Sequence, residues 1–411
     1  MVGPCARKEG APGGSERKGV RELERREIEE RRAEFVARFG AGGDTRLYFA
    51  PGRVNLIGEH TDYNGGLVLP LALELGTYLL IRPSREPPAR FYSTRTGEEA
   101  ELHPDRIARR GDWADYVRGV FFILQKAYGG LPPFEALFFG DLPLRAGLAS
   151  SASLEVVTVL ASTSLGYSMQ GEEMARVAWR AENEYVGVPC GIMDQYAAAL
   201  AQAGTAMFLD CDSLAYRHIP FKLEDTTILI GHTGVYRSLA ASDYNRRRRE
   251  CEEALKLISA RVGKKENLSR VSREEFEAAK PHLPDVLRMR AEHVVAENLR
   301  VKMAAECLAR GDAEKLGHFL NRSHASLRDL YQVSCPELDV LQEASLAQPG
   351  VWGCRMTGAG FGGCVIALIR NESLPEYLKV VPDLYNRATG CEPFFLTTRP
   401  GGGARMLAID A

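Results

Sequence analysis

Pro51-Gly52-Arg53-Val54-Asn55-Leu56-Ile57-Gly58-Glu59-His60-Thr61, continued by Asp62-Tyr63-Asn64-Gly65-Gly66, brings an arginine, a glutamate, a histidine and an aspartate into one short run. A strand-like apolar segment precedes the run and two glycines close it. A solvated charged face would favour Lys and Glu without a glycine bracket. Here Val54, Leu56 and Ile57 alternate imperfectly with Arg53 and Asn55, so the arginine leaves a strand end and the later polar groups crowd into a turn. Such a density of unlike donors and acceptors suits a site for sugar hydroxyls.

Composition sets wider bounds. A chain of 411 residues, 45% hydrophobic and 26% charged, is long enough for two cores. It holds no apolar run near the roughly 20 residues of a membrane span. A formal charge of −2 offers nothing that would draw nucleic acid or an anionic membrane. Nine cysteines are scattered with no Cys-x-x-Cys pair and no Cys/His cluster of zinc spacing. A disulfide framework and a structural metal are therefore not expected, and a reducing cytoplasm fits.

Residues 1–19 are rich in glycine, proline and charge without an apolar stretch, which predicts a disordered tail rather than a secretory signal. Residues 20–39 interleave opposite charges at helical spacing and predict a surface helix. The run Arg246 to Arg249 is followed by Glu250, Glu252 and Glu253, the pattern of ion pairs along a helix rather than of a nucleic-acid patch. No internal repeat or low-complexity linker is present.

Two glycine-rich segments compete for an anion. In Leu144-Arg145-Ala146-Gly147-Leu148-Ala149-Ser150-Ser151-Ala152-Ser153 the serines precede an apolar run, residues 154–160, of helical length. A helix starting in that cluster aims unpaired N–H groups and its positive dipole end at an anion, with hydroxyls as further donors or magnesium ligands. Simple N-capping is the plainer reading, but one serine would do that. The second segment, Gly358-Ala359-Gly360-Phe361-Gly362-Gly363, formally matches the dinucleotide pattern G-x-G-x-x-G. The next residues, Cys364-Val365-Ile366-Ala367-Leu368-Ile369, read as a buried strand by their β-branched content, whereas the dinucleotide motif must open a helix. It is a glycine loop entering a strand, for close backbone approach or a tight turn; the residues leave both open.

A third constellation is Cys190-Gly191-Ile192-Met193-Asp194-Gln195. Upstream, Met174, Val177, Ala178, Ala181 and Tyr185 repeat at helical spacing, predicting an amphipathic helix with Glu182 in its last turn. Asp194 stands among small and apolar neighbours, where an ionised carboxylate needs a cation or a proton. A structural aspartate at a helix start is the plain alternative. Arg53 is the candidate partner that would give the pair a mechanism.

Together the segments resemble the galactokinases, within the kinase superfamily that includes homoserine, mevalonate and phosphomevalonate kinases. The likeness rests on the run 52–63, on Gly147 to Ser153, and on Arg355-Met356-Thr357 with the glycine loop. Cys190 to Gln195, Ser238-Leu239-Ala240-Ala241-Ser242-Asp243-Tyr244 and Val333-Ser334-Cys335-Pro336-Glu337-Leu338-Asp339 match as well. It covers roughly residues 21–411. The resemblance implies transfer of the ATP γ-phosphoryl group to the anomeric oxygen of α-D-galactose, with magnesium. It places Arg53 and Asp194 as the catalytic pair and Glu59, His60, Asp62, Gly191 and Tyr244 on the sugar. Gly147, Leu148, Ala149, Ser150, Ser151, Ala152 and Ser153 become the phosphate cradle, with Ser151 and Glu182 on the metal. The implied fold is α+β in two domains, a ribosomal-S5-like N-terminal domain over residues 20–220 and a ferredoxin-like C-terminal domain over 221–411. The active site lies between them and the protein is a monomer. No G-x-x-x-x-G-K-[ST] and no His-Arg-Asp set of protein kinases occurs, in keeping with a different kinase fold.

Two positions depart from the family pattern: Arg145 stands where glycine is usual, and Ala149 where the serine triplet begins. Arg145 gives up glycine's freedom at positive φ and offers a cation to phosphates, while Ala149 removes a hydroxyl. Both predict altered nucleotide affinity rather than loss of activity. The alternatives are a kinase for N-acetylgalactosamine or another sugar such as arabinose, and a galactose- and ATP-binding transcriptional sensor. Those sensors lack a Ser-Ala piece of the second motif, and Ser151-Ala152 is intact here.

Overall fold

Three strands of the N-terminal half alternate strictly in which core they feed. Leu47 and Phe49, Tyr78 and Leu80, Leu137 and Phe139 point to one side, and Tyr48 and Ala50, Leu79 and Ile81, Ala136 and Phe138 to the other. A period of two with both faces apolar is what a sheet covered on both sides requires. In the computed structural model, which describes residues 25–143, 146–236 and 240–408, these strands form a six-stranded sheet. Its order is Arg405–Leu407, Arg46–Asn55, Pro70–Pro83, Phe134–Gly140, Ala89–Ser93, Glu98–Leu102. All neighbours are antiparallel except Phe134–Gly140 with Ala89–Ser93. The tail at 1–19, the first residues of the charged helix, Leu144, Arg145, Ser238 and Leu239 lie outside the described residues.

The charged helix spans Arg25–Phe39 and pairs Arg26 with Glu30 and Arg31 with Glu34. Phe35 and Phe39, four residues apart, are buried against the sheet's outer face. The other face carries the helices Asp115–Tyr128, Ser150–Ala161, Glu172–Arg180 and Met193–Leu200. The predicted amphipathic helix thus forms, and it continues through a π-helical turn, Ala181–Val186, that ends on Gly187 in the left-handed region. A small sheet of Leu67–Val68, Thr205–Asp210 and Tyr216–Pro220 lies beside it.

The C-terminal half is built on a four-stranded antiparallel sheet, ordered Val351–Thr357, Cys364–Arg370, Thr226–His232, Phe394–Thr398. The strand read from Cys364 to Ile369 is central in it. Leu229, Val365, Ala367 and Ile369 feed a core with the helices Ala240–Val262, Pro336–Leu346 and Leu374–Thr389. Ile228, Ile230, Ile366 and Leu368 face the opposite way, onto Val54, Leu56 and Ile57 of the first motif and Val301, Ala304 and Leu308 of the helix Asp285–Arg310. The seam between the halves is therefore a core directly beneath the polar run. The expected α+β, two-domain fold is present, with one addition: the last strand returns to pair with Leu47, Tyr48 and Phe49. The arginine run lies on the helix Ala240–Val262 and pairs as its spacing implies, Arg246 with Asp243, Arg247 with Glu250 and Arg248 with Glu252. Among the described residues no helix is long and apolar enough to cross a membrane.

Backbone meets backbone where the helix Ala313–Ser326 crosses the strand Val351–Thr357. A Cβ on Gly317 would stand 2.1 Å from the Trp352 carbonyl oxygen, and one on Gly353 would stand 2.4 Å from that of Gly317. Neither obstacle is a side chain that could swing away. Gly317→Ala should therefore lower stability by about 3 kcal/mol, as overpacking against rigid backbone does. Urea unfolding measures it, and an unchanged midpoint would show that helix and strand do not press together at this point.

Candidate active site

Arg53 leaves the end of the strand Arg46–Asn55 and meets Asp194 in the first turn of the helix Met193–Leu200. Its Nε and Nη2 donate to the two carboxylate oxygens, each at 2.6 Å. The guanidinium is 7% exposed and the carboxylate 27%, so the acid is the member of the pair that solvent or a ligand can reach. Burial works against the charge on Arg53, but Asp194 outweighs it and holds the guanidinium above its ordinary value. The remaining nitrogen, Nη1, donates to the Gly147 carbonyl at 2.8 Å, and the Arg53 amide donates to Leu148 O at 3.1 Å. The first motif is thus tied to the serine loop.

Glu59 and His60 come next, at a sharp turn with Gly58 at φ +105 and His60 at φ +61. Both Glu59 oxygens are taken by the chain itself. Oε2 accepts from Asn55 Nδ2 at 2.6 Å and Arg355 Nη2 at 2.7 Å, while Oε1 accepts from the Gly358 amide at 2.7 Å and Thr357 Oγ1 at 3.1 Å. The glutamate joins the first motif to the third, which is the use of the glycine loop's close approach. His60 is likewise engaged. Its Nε2 lies 3.2 Å from the Ala359 carbonyl, which can only accept, so Nε2 carries the proton and Nδ1 accepts from Tyr63 Oη at 2.8 Å. The Tyr63 oxygen then accepts from Tyr331 Oη at 2.8 Å, and Tyr331 in turn from Cys251 Sγ at 3.0 Å. Burial, with the neighbouring His293 second, lowers the imidazole to about 3 and keeps it neutral. Tyr244 packs its ring on His60 and Tyr63.

Asp62 feels the charge of Asp194 and faces Gly191 so tightly that a Cβ there would stand 1.9 Å from its Oδ2. A side chain at 191 would displace the Asp62 carboxylate. Arg53, Glu59, His60, Asp62, Gly191, Asp194 and Tyr244 are therefore gathered into one place between the halves.

The serine loop reaches the same place. Its helix begins at Ser150, as expected, and Ala149 precedes it at φ 58, ψ 44, a conformation alanine adopts at a cost. The first helical bond runs from the Ser153 amide to Ala149 O, so the N–H groups of Ser150, Ser151 and Ala152 lie ahead of it. Ser153 differs from its neighbours. Its hydroxyl is buried, donates to Ala50 O at 2.8 Å and bonds Thr77, because the fourth residue of the helix turns to the sheet. It is bound to the scaffold rather than to the opening. Arg145 lies outside the described residues.

Glu182, on the π turn, accepts from Gln195 Nε2 at 2.6 Å and from Cys190 Sγ, with the Ser151 hydroxyl beside it. Burial first, then the charge on Asp194, raises it above the usual carboxylate range. Two hard oxygen donors side by side suit a magnesium ion. Among the described residues no cluster of three or more His, Cys, Asp or Glu could hold a metal, so this pair would need phosphate oxygens or water to complete a shell. Sequence reasoning missed Gln195 and the fully buried Glu155, whose Oε2 is 3.3 Å from Gln195 Nε2. Burial, then Glu182, pushes Glu155 well above the carboxylate range. An acid inside the apolar run 154–160 was the available signal.

The galactokinase galactose-binding signature matches residues 33–83, the GHMP kinase N-terminal domain matches 115–202 and the GHMP kinase C-terminal domain matches 304–379. A galactokinase of Fusobacterium nucleatum is 40% identical over 378 residues, 90% of this chain and 97% of the relative. A galactokinase of Bacillus subtilis is 38% identical over 387 residues, covering 92% and 99%. Among solved structures, Lactococcus lactis galactokinase complexed with galactose superposes with a TM-score of 0.89 at 37% identity, over 92% of this chain and 100% of the other. A mevalonate kinase shares the fold at 19% identity and a TM-score of 0.61.

The crowding of Asp62 has a consequence for stability. Burial chiefly, and the Asp194 carboxylate second, raise its carboxyl from 3.8 to about 7, although Arg53 and the Tyr63 amide pull the other way. The folded state therefore holds a proton that the unfolded chain has lost. This group's contribution is intact below about pH 4 and is lost as the pH rises to about 7. Asp62→Asn, which cannot ionise, should match the parent near pH 4 and exceed it by about 1–3 kcal/mol at pH 8, a range reduced for solvent access. Urea unfolding across that interval tests it. A gap that does not change with pH would show that Asp62 does not titrate there.

Proposed function

We propose, from the premise that the chain belongs to the galactokinase family, that it transfers the γ-phosphoryl group of ATP to O1 of α-D-galactose, giving galactose 1-phosphate and ADP. The observation that carries the reading is the bidentate Arg53–Asp194 pair, set between the serine helix and the loop of Glu59, His60 and Asp62. We take the boundary of the halves near Pro220, with the last strand crossing back. The enzyme is read as a cytoplasmic monomer with no nucleic acid or membrane as partner.

The sugar lies against Asp62, Gly191 and Tyr244, on a wall that Glu59 and His60 hold in shape. Its O1–H faces Asp194, the exposed member of the pair. Both carboxylate oxygens are already anchored by Arg53, so their direction is set before the sugar arrives and no reorganisation accompanies the reaction. O1 attacks the γ-phosphorus, the bond from that phosphorus to the bridging oxygen of ADP breaks, and the O1 proton leaves toward Asp194. Arg53 counters negative charge where the phosphoryl group passes. Nucleotide phosphates bind at the Gly147–Ala152 turn, where the Ser150, Ser151 and Ala152 amides open the helix. Ser151 and Glu182 would hold magnesium, which when bound draws charge from the phosphate oxygens.

A panel of sugars with ATP is the decisive experiment. A pocket whose buried acceptors expect a hydroxyl loses heavily when that hydroxyl is misplaced, and glucose differs from galactose only at C4. Galactose should be preferred over glucose by roughly 10⁴ in kcat/KM. Comparable turnover of glucose would sink the reading, and a preference for N-acetylgalactosamine would move it to that sugar. Asp194→Asn keeps the shape and loses the charge. We expect galactose binding to persist and kcat to fall by roughly 10³ or more; turnover within tenfold of the parent would remove Asp194 from the reaction.

A further inference from the structure

Behind the loop that carries Glu59, His60 and Asp62 runs the helix Asp285–Arg310, with His293, Glu297 and Asn298 buried on one face. Each of the three takes a backbone group of the run 58–67. His293 Nε2 lies 3.1 Å from the Glu59 carbonyl, which can only accept, so Nε2 carries the proton and Nδ1 accepts from Ser326 Oγ at 2.8 Å. Ser326 is free to donate there, because its oxygen accepts from Arg300 Nη2 at 2.9 Å. Glu297 Oε1 accepts from the Gly58 amide at 3.1 Å and from Ser323 Oγ, while Oε2 accepts from Arg300 Nε at 2.5 Å. Asn298 Oδ1 accepts from the Leu67 amide at 2.8 Å.

The segment so held contains the left-handed His60. Such a conformation in a non-glycine residue costs on the order of 1 kcal/mol and persists only where the surroundings over-determine it. Here both ends are set by one rigid helix: a carbonyl and an amide at 58–59, and an amide at 67. Between those ties lies Asp62, whose carboxylate lies directly against Gly191. An error of about 1 Å in such a group is costly for ligand geometry.

We infer that His293, Glu297 and Asn298 are positioning residues for the sugar pocket, setting its affinity for galactose through the backbone of residues 58–67 without touching the sugar. This rests on the galactose reading above. Because the ties are to residues 58, 59 and 67, while Arg53 is joined to the serine loop by bonds of its own, their loss should act on the sugar far more than on the nucleotide.

Two pairs of variants test it. His293→Leu removes the donor and His293→Gln keeps one; Asn298→Leu removes the acceptor and Asn298→Asp keeps one. Galactose affinity is measured by calorimetry without nucleotide or metal, and KM values for galactose and ATP by steady-state kinetics. The leucine variants should bind galactose roughly tenfold more weakly, the scale of one lost buried hydrogen bond, with the KM for ATP within about twofold. The conservative variants should recover most of the affinity. Folded leucine variants that bind galactose as the parent does, with only a lower unfolding midpoint, would overturn the inference. If His293→Leu does not fold, the Asn298 pair decides by the same criterion. A parent that binds no galactose would sink the functional reading, and this inference with it; a parent that binds beside unaffected leucine variants sinks this inference alone.

Discussion

The buried ion pair between Glu59 and Arg355 is the joint on which the site depends. Its partners are 3% and 0% exposed, 2.7 Å apart, and come from opposite halves of the chain. Arg355 also donates through Nη1 to the carbonyls of Asn55 and Leu56, so one guanidinium binds the end of the first strand and the acid beyond it. Such a pair adds little net stability, because desolvation of both charges offsets their attraction. What it contributes is registry. With Glu59 bound to Asn55, Thr357 and Gly358 as well, the polar loop has one position against the glycine loop, and that position sets those of Arg53 and Asp62.

How much of this was legible depends on the range of each contact. The helix starts at Ser150 and beside Asp194, the strand at Cys364 and the pairing of the arginine run all show in spacing, because their partners are a few residues away. What could not be read are ties such as His293 to Glu59 or Gly58 to Glu297, which join residues more than two hundred positions apart and leave no periodicity. The inward turn of Ser153 was hidden for a related reason: only the sheet beneath shows which of the serines faces it. Glu155 stood out as an acid inside an apolar run but its distant partners did not show, and the last strand was hidden by its brevity.

The seam core adds a mechanical point. Ile228, Ile230, Ile366 and Leu368 pack on Val54, Leu56 and Ile57, so the polar loop stands on apolar contacts from both halves. Close packing transmits displacement, and the loop is therefore unlike a surface loop that moves alone. Sugar and nucleotide are brought together by a platform whose two supports must stay in register.

The return of Arg405–Leu407 to the sheet bears on the order in which the molecule can be assembled. Domains ordinarily fold as they leave the ribosome, N-terminal part first. Here the strand Arg46–Asn55 must wait with an open edge while the whole C-terminal half is made, because its neighbour Arg405–Leu407 follows that half in the chain. An unpaired edge is a template for another chain. The interval between the synthesis of the first strand and that of the last is thus a period of exposure to misassembly, longer for this protein than for one whose first sheet closes on itself.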